Sequence, residues 1–191
     1  SPHMLLPDQG IGNFAKVGLE TNPDLRVLVQ ASWPGLDGQL GKFDNAMREQ
    51  MTVAGLQALS DGYDIAWLKP LEKQVEAFNE SVGRSAVKIV PVSRAVFALR
   101  RLIAEGGAPG LTKQSELFRD PLGHPKPPLA LLVSYCHFAA IYGRSPVGLP
   151  VPSALQENPQ MNELNSLLQK IAWDSVISYP MSGVRAPDES Q

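Results

Sequence analysis

Asp120 and His124 stand four residues apart in the segment Leu117-Phe-Arg-Asp-Pro-Leu-Gly-His-Pro-Lys-Pro-Pro128. Such a pair can serve as a general base, because the carboxylate orients the imidazole and stabilises the imidazolium that forms. Proline and glycine stiffen the segment, and rigidly supported loops often present such groups. These residues are also ordinary turn formers, so a plain turn with an exposed His124 is the alternative on the residues alone.

Two further arrangements of reactive side chains can be weighed from spacing. Cys136 and His137 are neighbours on a predicted helix, where adjacent side chains point about 100° apart, and Cys136 falls on the apolar face. We therefore interpret Cys136 as a core residue.

A metal site built from His3, Asp120, His124 and His137 has neither HExxH nor CxxC spacing. The sequence predicts no metal and no cofactor.

The serines that follow predicted strands do not resemble catalytic nucleophiles. Ser32 and Ser93 lack the Gly-x-Ser-x-Gly or Gly-Asp-Ser surroundings of tight nucleophile turns. We interpret Ser93 as a helix N-cap and Trp33 as a packing residue or a pocket wall. Arg100-Arg101 is typical of a solvated helix face.

Composition limits the class of protein. A chain of 191 residues with 43% hydrophobic content is long enough for one domain with a real core. The net charge of −2 supplies no basic field, so we expect no nucleic-acid partner. The single cysteine excludes an internal disulfide, and no run approaches the ~20 apolar residues of a membrane span. The compartment and the oligomeric state stay open.

Apolar periodicity predicts two strands, residues 25–31 and 86–92, the first of them a buried parallel strand and the second ending at Pro91. Breaks and caps predict six helices. The first is capped by Asp8 and runs to Thr21, the second covers residues 43–59 and is ended by Ser60-Asp61-Gly62, and the third starts at about Asp64, with Pro70 in its first turn or at a kink. The other three cover residues 94–105, 127–142 and 161–178. Residues 148–159 are predicted to be a linker.

Strands that alternate with helices predict an α/β fold with a parallel sheet and helices on both faces. One domain is expected over residues 1–182, followed by a polar tail at 183–191. Two strands are few for such a sheet, so we expect a domain that is incomplete on its N-terminal side, with an exposed apolar sheet edge unless another segment covers it. Ser1–Met4 could be a tag remnant, but its smooth continuation into residues 5–10 favours the end of a natural strand.

From Leu5 to Pro146, the chain resembles the C-terminal two-thirds of an SGNH/GDSL-type hydrolase. The specific part is Asp120 and His124 followed by an apolar helix that ends in Tyr142-Gly-Arg-Ser-Pro146. The resemblance implies a three-layer α/β/α flavodoxin-like domain that hydrolyses esters, often of carbohydrates or lipids, with serine, histidine and aspartate and without a metal. It makes His124 the general base and Asp120 its orienting carboxylate.

The chain departs from that family in two respects. The family spaces the pair as Asp-x-x-His, whereas one more residue stands here, whose length Gly123 could absorb. The Gly-Asp-Ser block, the oxyanion glycine block and the Gly-x-Asn-Asp block have no match. We therefore expect the nucleophile upstream of Ser1, in an esterase of which these residues alone are nearly inactive.

Two alternatives to the esterase stay open. One is a non-catalytic binding module or pseudoenzyme that holds a ligand near Trp33. The other is a different α/β domain in which Asp120 and His124 only form a turn, far from the carboxyl ends of the strands.

Overall fold

The computed structural model describes residues 10–39, 41–152 and 160–186. Within these ranges the regular elements are α1 Gly10–Thr21, β1 Val27–Gln30, α2 Asn45–Glu49, α3 Val53–Tyr63, α4 Lys69–Ser81, β2 Val87–Val90, α5 Val92–Ala104, α6 Pro127–Tyr142 and α7 Met161–Ile177. Short 3₁₀ turns occur at Gly35–Gly38, Gln114–Glu116 and Pro180–Ser182, and a π-helical turn occupies Asp64–Leu68. Ser1–Met4, the Asp8 cap and most of the predicted linker lie outside the described residues.

The two strands pair in parallel, with Val27 opposite Val87 and Gln30 opposite Val90. The predicted α/β class and parallel pairing are therefore confirmed. β2 is buried at three of its four positions, but β1 is half-buried along its whole length. The prediction of a buried first strand was wrong, because β2 is the only strand that pairs with β1 among the described residues.

Hydrophobic clusters lie on both faces of this sheet. Val87 and Ile89 belong to a cluster that includes residues of α1 and α4, while Val90 belongs to a larger cluster formed with α5, α6 and α7. Successive strand residues point to opposite faces, so this division follows from the alternation along β2. Helices therefore pack against both faces of the sheet.

The helices between the strands differ from their predicted bounds. Residues 43–59 form two helices, because Thr52 starts α3 by accepting a hydrogen bond from the Gly55 N–H at 3.1 Å. The predicted break at residues 60–62 was wrong, since helical structure continues from Val53 to Ser81 through the π-helical turn. Pro70 stands in the first turn of α4 as predicted, and its missing N–H accounts for the local widening just before it.

The start of α5 is set by the sheet. The N-cap position is Pro91, and the buried Ser93 makes no capping hydrogen bond, so its interpretation as an N-cap was wrong. The Ser93 N–H instead donates to the carbonyl of Ala31 at 2.7 Å, which ties the first turn of the helix to the end of β1. The helix therefore begins immediately where β2 ends.

The last two helices complete the larger cluster. α6 has the predicted bounds, and α7 ends one residue before the predicted end. Between them the Tyr135 hydroxyl lies 2.5 Å from the Asn165 amide oxygen, so the buried polar groups of this contact are paired. None of the helices in the described ranges has the length and apolar character that crossing a membrane requires.

Candidate functional site

The candidate site lies on residues 117–126, which we call the His124 loop. The chain reverses within it: the Arg119 N–H donates to the His124 carbonyl at 2.7 Å, and the Lys126 N–H donates to the Leu117 carbonyl at 2.9 Å. Gly123 closes the turn with a φ of +95°. A Cβ atom there would lie 2.9 Å from Nε1 of Trp33, so both the backbone conformation and the available space require glycine.

This turn brings the two predicted side chains together. Oδ2 of Asp120 lies 2.6 Å from Nδ1 of His124. The other carboxylate oxygen accepts the N–H groups of Gly123 at 3.1 Å and of His124 at 3.2 Å. Asp120 therefore closes the turn and contacts the imidazole at once, and the additional residue in the spacing does not separate the pair.

The electrostatics of the pair match an orienting role. The hydrogen bond from His124 holds the pKa of the Asp120 carboxyl below its usual range. With an ionised acceptor at Oδ2, we assign the proton of a neutral His124 ring to Nδ1, which leaves the Nε2 lone pair available. Nε2 makes no hydrogen bond to a described residue, and 61% of the His124 side chain is exposed. The imidazole can accept a proton from an approaching group.

The His124 loop packs against the segment that follows β1. Trp33, three residues beyond that strand, donates from Nε1 to the Gly123 carbonyl at 3.1 Å, and its ring centre lies 6.2 Å from that of Phe118. The loop thus lies at the carboxyl end of β1, where open α/β sheets form their sites. Trp33 supports the loop. Two clefts of about 270 and 470 Å³ are lined by other residues, so its role as a pocket wall stays a prediction.

Beneath the loop lies a buried charge cluster formed by Asp37, Arg48 and Arg100, to which the neutral side chain of Gln114 is hydrogen-bonded. Arg100 donates to both oxygens of Asp37, at 3.0 and 2.6 Å, and from Nε to the Gln114 side chain at 2.8 Å. Nε of Arg48 lies 3.6 Å from the same carboxylate. All four residues are buried.

The prediction of a solvated face at residues 100–101 was wrong for Arg100 and right for the exposed Arg101. A sequence signal for the burial does exist. Arg100 follows Val96 by four residues and precedes Ile103 by three, so it lies on the apolar stripe of α5.

Arg48 connects this cluster to the site. Its guanidinium donates to the carbonyl of Asp120 at 3.3 Å and to that of Pro121 at 2.9 Å. The guanidinium carbon also lies 4.3 Å from the ring centre of Phe118. Sequence reasoning did not single out Arg48, because its partners in the loop are 72 and 73 residues away.

The other reactive side chains do not join this site. Ser93 is fully buried, and the Ser32 hydroxyl accepts a hydrogen bond from Gln30 at 2.5 Å. Nδ1 of His137 lies 3.0 Å from the carbonyl of Val133. Cys136 is fully buried, as predicted, and burial raises the pKa of its thiol to about 12.

The Cys136 thiol is expected to resist modification in the folded protein. Thiolate is the reactive form, and both its low population and its burial slow the reaction with Ellman's reagent at pH 8. We expect the native reaction to be at least ~100-fold slower than in guanidinium chloride, followed by absorbance. Complete modification of the native protein at the rate of the unfolded protein would contradict the assignment of Cys136 to the buried core.

Neither a metal-binding cluster nor a comparison with known proteins adds a residue to the candidate site. Among the residues that the structure describes, no three His, Cys, Asp or Glu side chains come close enough to hold a metal ion. No family model, curated protein or solved structure matches this chain, so a functional proposal rests on the geometry of the Asp120–His124 pair.

Proposed function

We propose that this chain is the C-terminal portion of an SGNH-type serine ester hydrolase with a three-layer, flavodoxin-like domain. His124 is the general base and Asp120 its orienting carboxylate. The observation that carries the proposal is the 2.6 Å contact between the two side chains on a loop at the carboxyl end of β1. The substrate is an ester of a small molecule or of a carbohydrate, and no cofactor takes part.

The chemistry follows from the position of the proton on His124. Nε2 takes the proton of a serine hydroxyl, and the serine oxygen then attacks the acyl carbonyl. The imidazolium, stabilised by Asp120, returns the proton to the leaving alcohol, and the same base activates the water that releases the acid. The serine and the oxyanion donors belong to a segment outside these 191 residues. The exposure of His124 supports this arrangement, because Nε2 is accessible to such a segment.

Hydrolysis of p-nitrophenyl acetate tests the role of His124. The protein is produced with the coding sequence upstream of Ser1, and His124→Ala is compared with His137→Ala, a histidine on α6 outside the site. We expect His124→Ala to lower kcat/KM by ~10³-fold or more, and His137→Ala to leave it within about twofold. Unchanged turnover in the His124→Ala variant would refute the assignment of His124 as the general base.

Covalent labelling tests the placement of the nucleophile. A fluorophosphonate probe phosphonylates an activated serine oxygen with loss of fluoride, and peptide mapping then locates the label. We expect it on a serine upstream of residue 1, in Gly-Asp-Ser surroundings. A label on Ser32 would refute the external nucleophile, and the absence of both label and turnover would favour the binding module.

A further inference from the structure

The contact between Asp120 and His124 depends on where the backbone places Asp120. Two successive carbonyls at this point, those of Asp120 and Pro121, accept hydrogen bonds from the two Nη atoms of Arg48. The backbone carbonyl group and the side chain of Asp120 are attached to the same Cα atom. A shift of this peptide therefore moves the carboxylate relative to Nδ1 of His124.

Arg48 is itself held from several sides. Nη1 donates to the Asn45 side chain at 2.7 Å, and Nε lies 3.6 Å from Asp37. The guanidinium lies over the rings of Phe43 and Phe118, with no exposed side-chain surface. Burial lowers the pKa of Arg48, whereas Asp37 opposes that shift. A planar fork with several donors fits this environment, and the single ammonium of lysine does not reproduce it.

We propose that Arg48 is a positioning residue for the general base, because it holds the Asp120–Pro121 peptide where the carboxylate meets the imidazole. Its importance for catalysis rests on the proposed function, but its effect on the pair does not. Arg48 acts through Asp120, and its hydrogen bonds to the loop reach carbonyls rather than the two reactive side chains.

Arg100 supplies a matched control. It is as buried as Arg48 and contacts the same carboxylate, but its hydrogen bonds go to Asp37 and Gln114, not to the His124 loop. A lysine at either position disturbs the buried charge cluster. Only the change at position 48 removes the two hydrogen bonds to the loop.

The test follows the pair by NMR in the 191-residue protein. The ¹³C titration of carboxyl groups reports the pKa of Asp120, and ¹⁵N shifts of the imidazole report which nitrogen of neutral His124 carries the proton. We expect Arg48→Lys to raise the pKa of Asp120 in the same direction as His124→Ala does, and to mix the two tautomers. Arg100→Lys should change neither, although we expect thermal unfolding to show that both variants are destabilised.

Two results would overturn the proposal: an unchanged Asp120 pKa in Arg48→Lys, or an equal change in Arg100→Lys. If Arg48→Lys does not fold, Asn45→Ala decides the question, because it removes one anchor of the guanidinium and should shift the same two signals in the same direction. These signals need no turnover. Failure of the esterase proposal appears separately, as absent labelling by the serine probe.

Discussion

Replacing Asp37 with asparagine is expected to lower the free energy of unfolding by about 3–5 kcal/mol. The Asp37 carboxylate accepts two hydrogen bonds from Arg100 and lies beside Arg48, and all three side chains are fully buried. An amide removes the negative charge and leaves both guanidinium groups in the interior without it. A loss of this size is a large part of the 5–15 kcal/mol that typically stabilises a domain.

Asparagine isolates the effect of charge from that of the backbone. Asp37 has a φ of +47° within a turn where Leu36 also has a positive φ, a conformation that most residues adopt only at a cost. Asparagine tolerates this region about as well as aspartate does. The expected loss therefore arises from the missing carboxylate and not from strain in the turn.

Chemical denaturation followed by circular dichroism measures this loss. Asp174→Asn is the matched control, because Asp174 pairs with Lys170 on the surface of α7, where the two side chains are 52% and 69% exposed. Such pairs contribute about 1 kcal/mol or less. An Asp37 variant that costs no more than the Asp174 variant would show that the buried charge cluster does not stabilise the fold.

Asp120→Asn is expected to lower kcat/KM of the esterase by ~10³- to 10⁴-fold in a protein that stays folded. The amide oxygen can still accept the N–H groups of Gly123 and His124, so the turn is kept. The amide nitrogen then faces Nδ1 and donates to it. Neutral His124 would carry its proton on Nε2, the atom that must accept one from the serine.

Asp44→Asn separates this effect from a general loss of negative charge. Asp44 accepts the Met47 N–H at 2.9 Å and caps α2, but it forms no hydrogen bond or ion pair with a histidine of the described ranges. We expect its turnover to stay within about twofold of the unmodified protein. If Asp120→Asn also kept kcat/KM within that range, Asp120 would be a turn residue only.

The lowered pKa of Asp120 sets the sign of a pH effect. A carboxyl whose pKa is depressed by folding stabilises the protein above its unfolded-state pKa, and this contribution is lost as the pH falls through the folded value. The difference in stability between the unmodified protein and Asp120→Asn should therefore shrink on acidification below about pH 4.

Much of the secondary structure and the turn of the candidate site could be predicted from residues that are close together in the chain. The apolar run before Pro91 predicted β2, and the proline pair at residues 127–128 predicted the start of α6. The same holds for the contact within the site, because Asp120 and His124 are joined by a turn whose residues are adjacent in the chain. Their role in catalysis stays a proposal.

The tertiary structure decided which partners the buried charges have. Asp37 and Arg100 are 63 residues apart, and Arg48 reaches the His124 loop over 72 residues. A guanidinium enters the interior only where an anion and carbonyl oxygens from other elements compensate for its lost hydration. The apolar stripe of α5 indicates that Arg100 is buried, but no local pattern identifies the groups that compensate for its charge. By itself, the sequence therefore determined the turn that joins Asp120 to His124, and only the packing of α2, α5 and the segment after β1 decided what holds that turn in place.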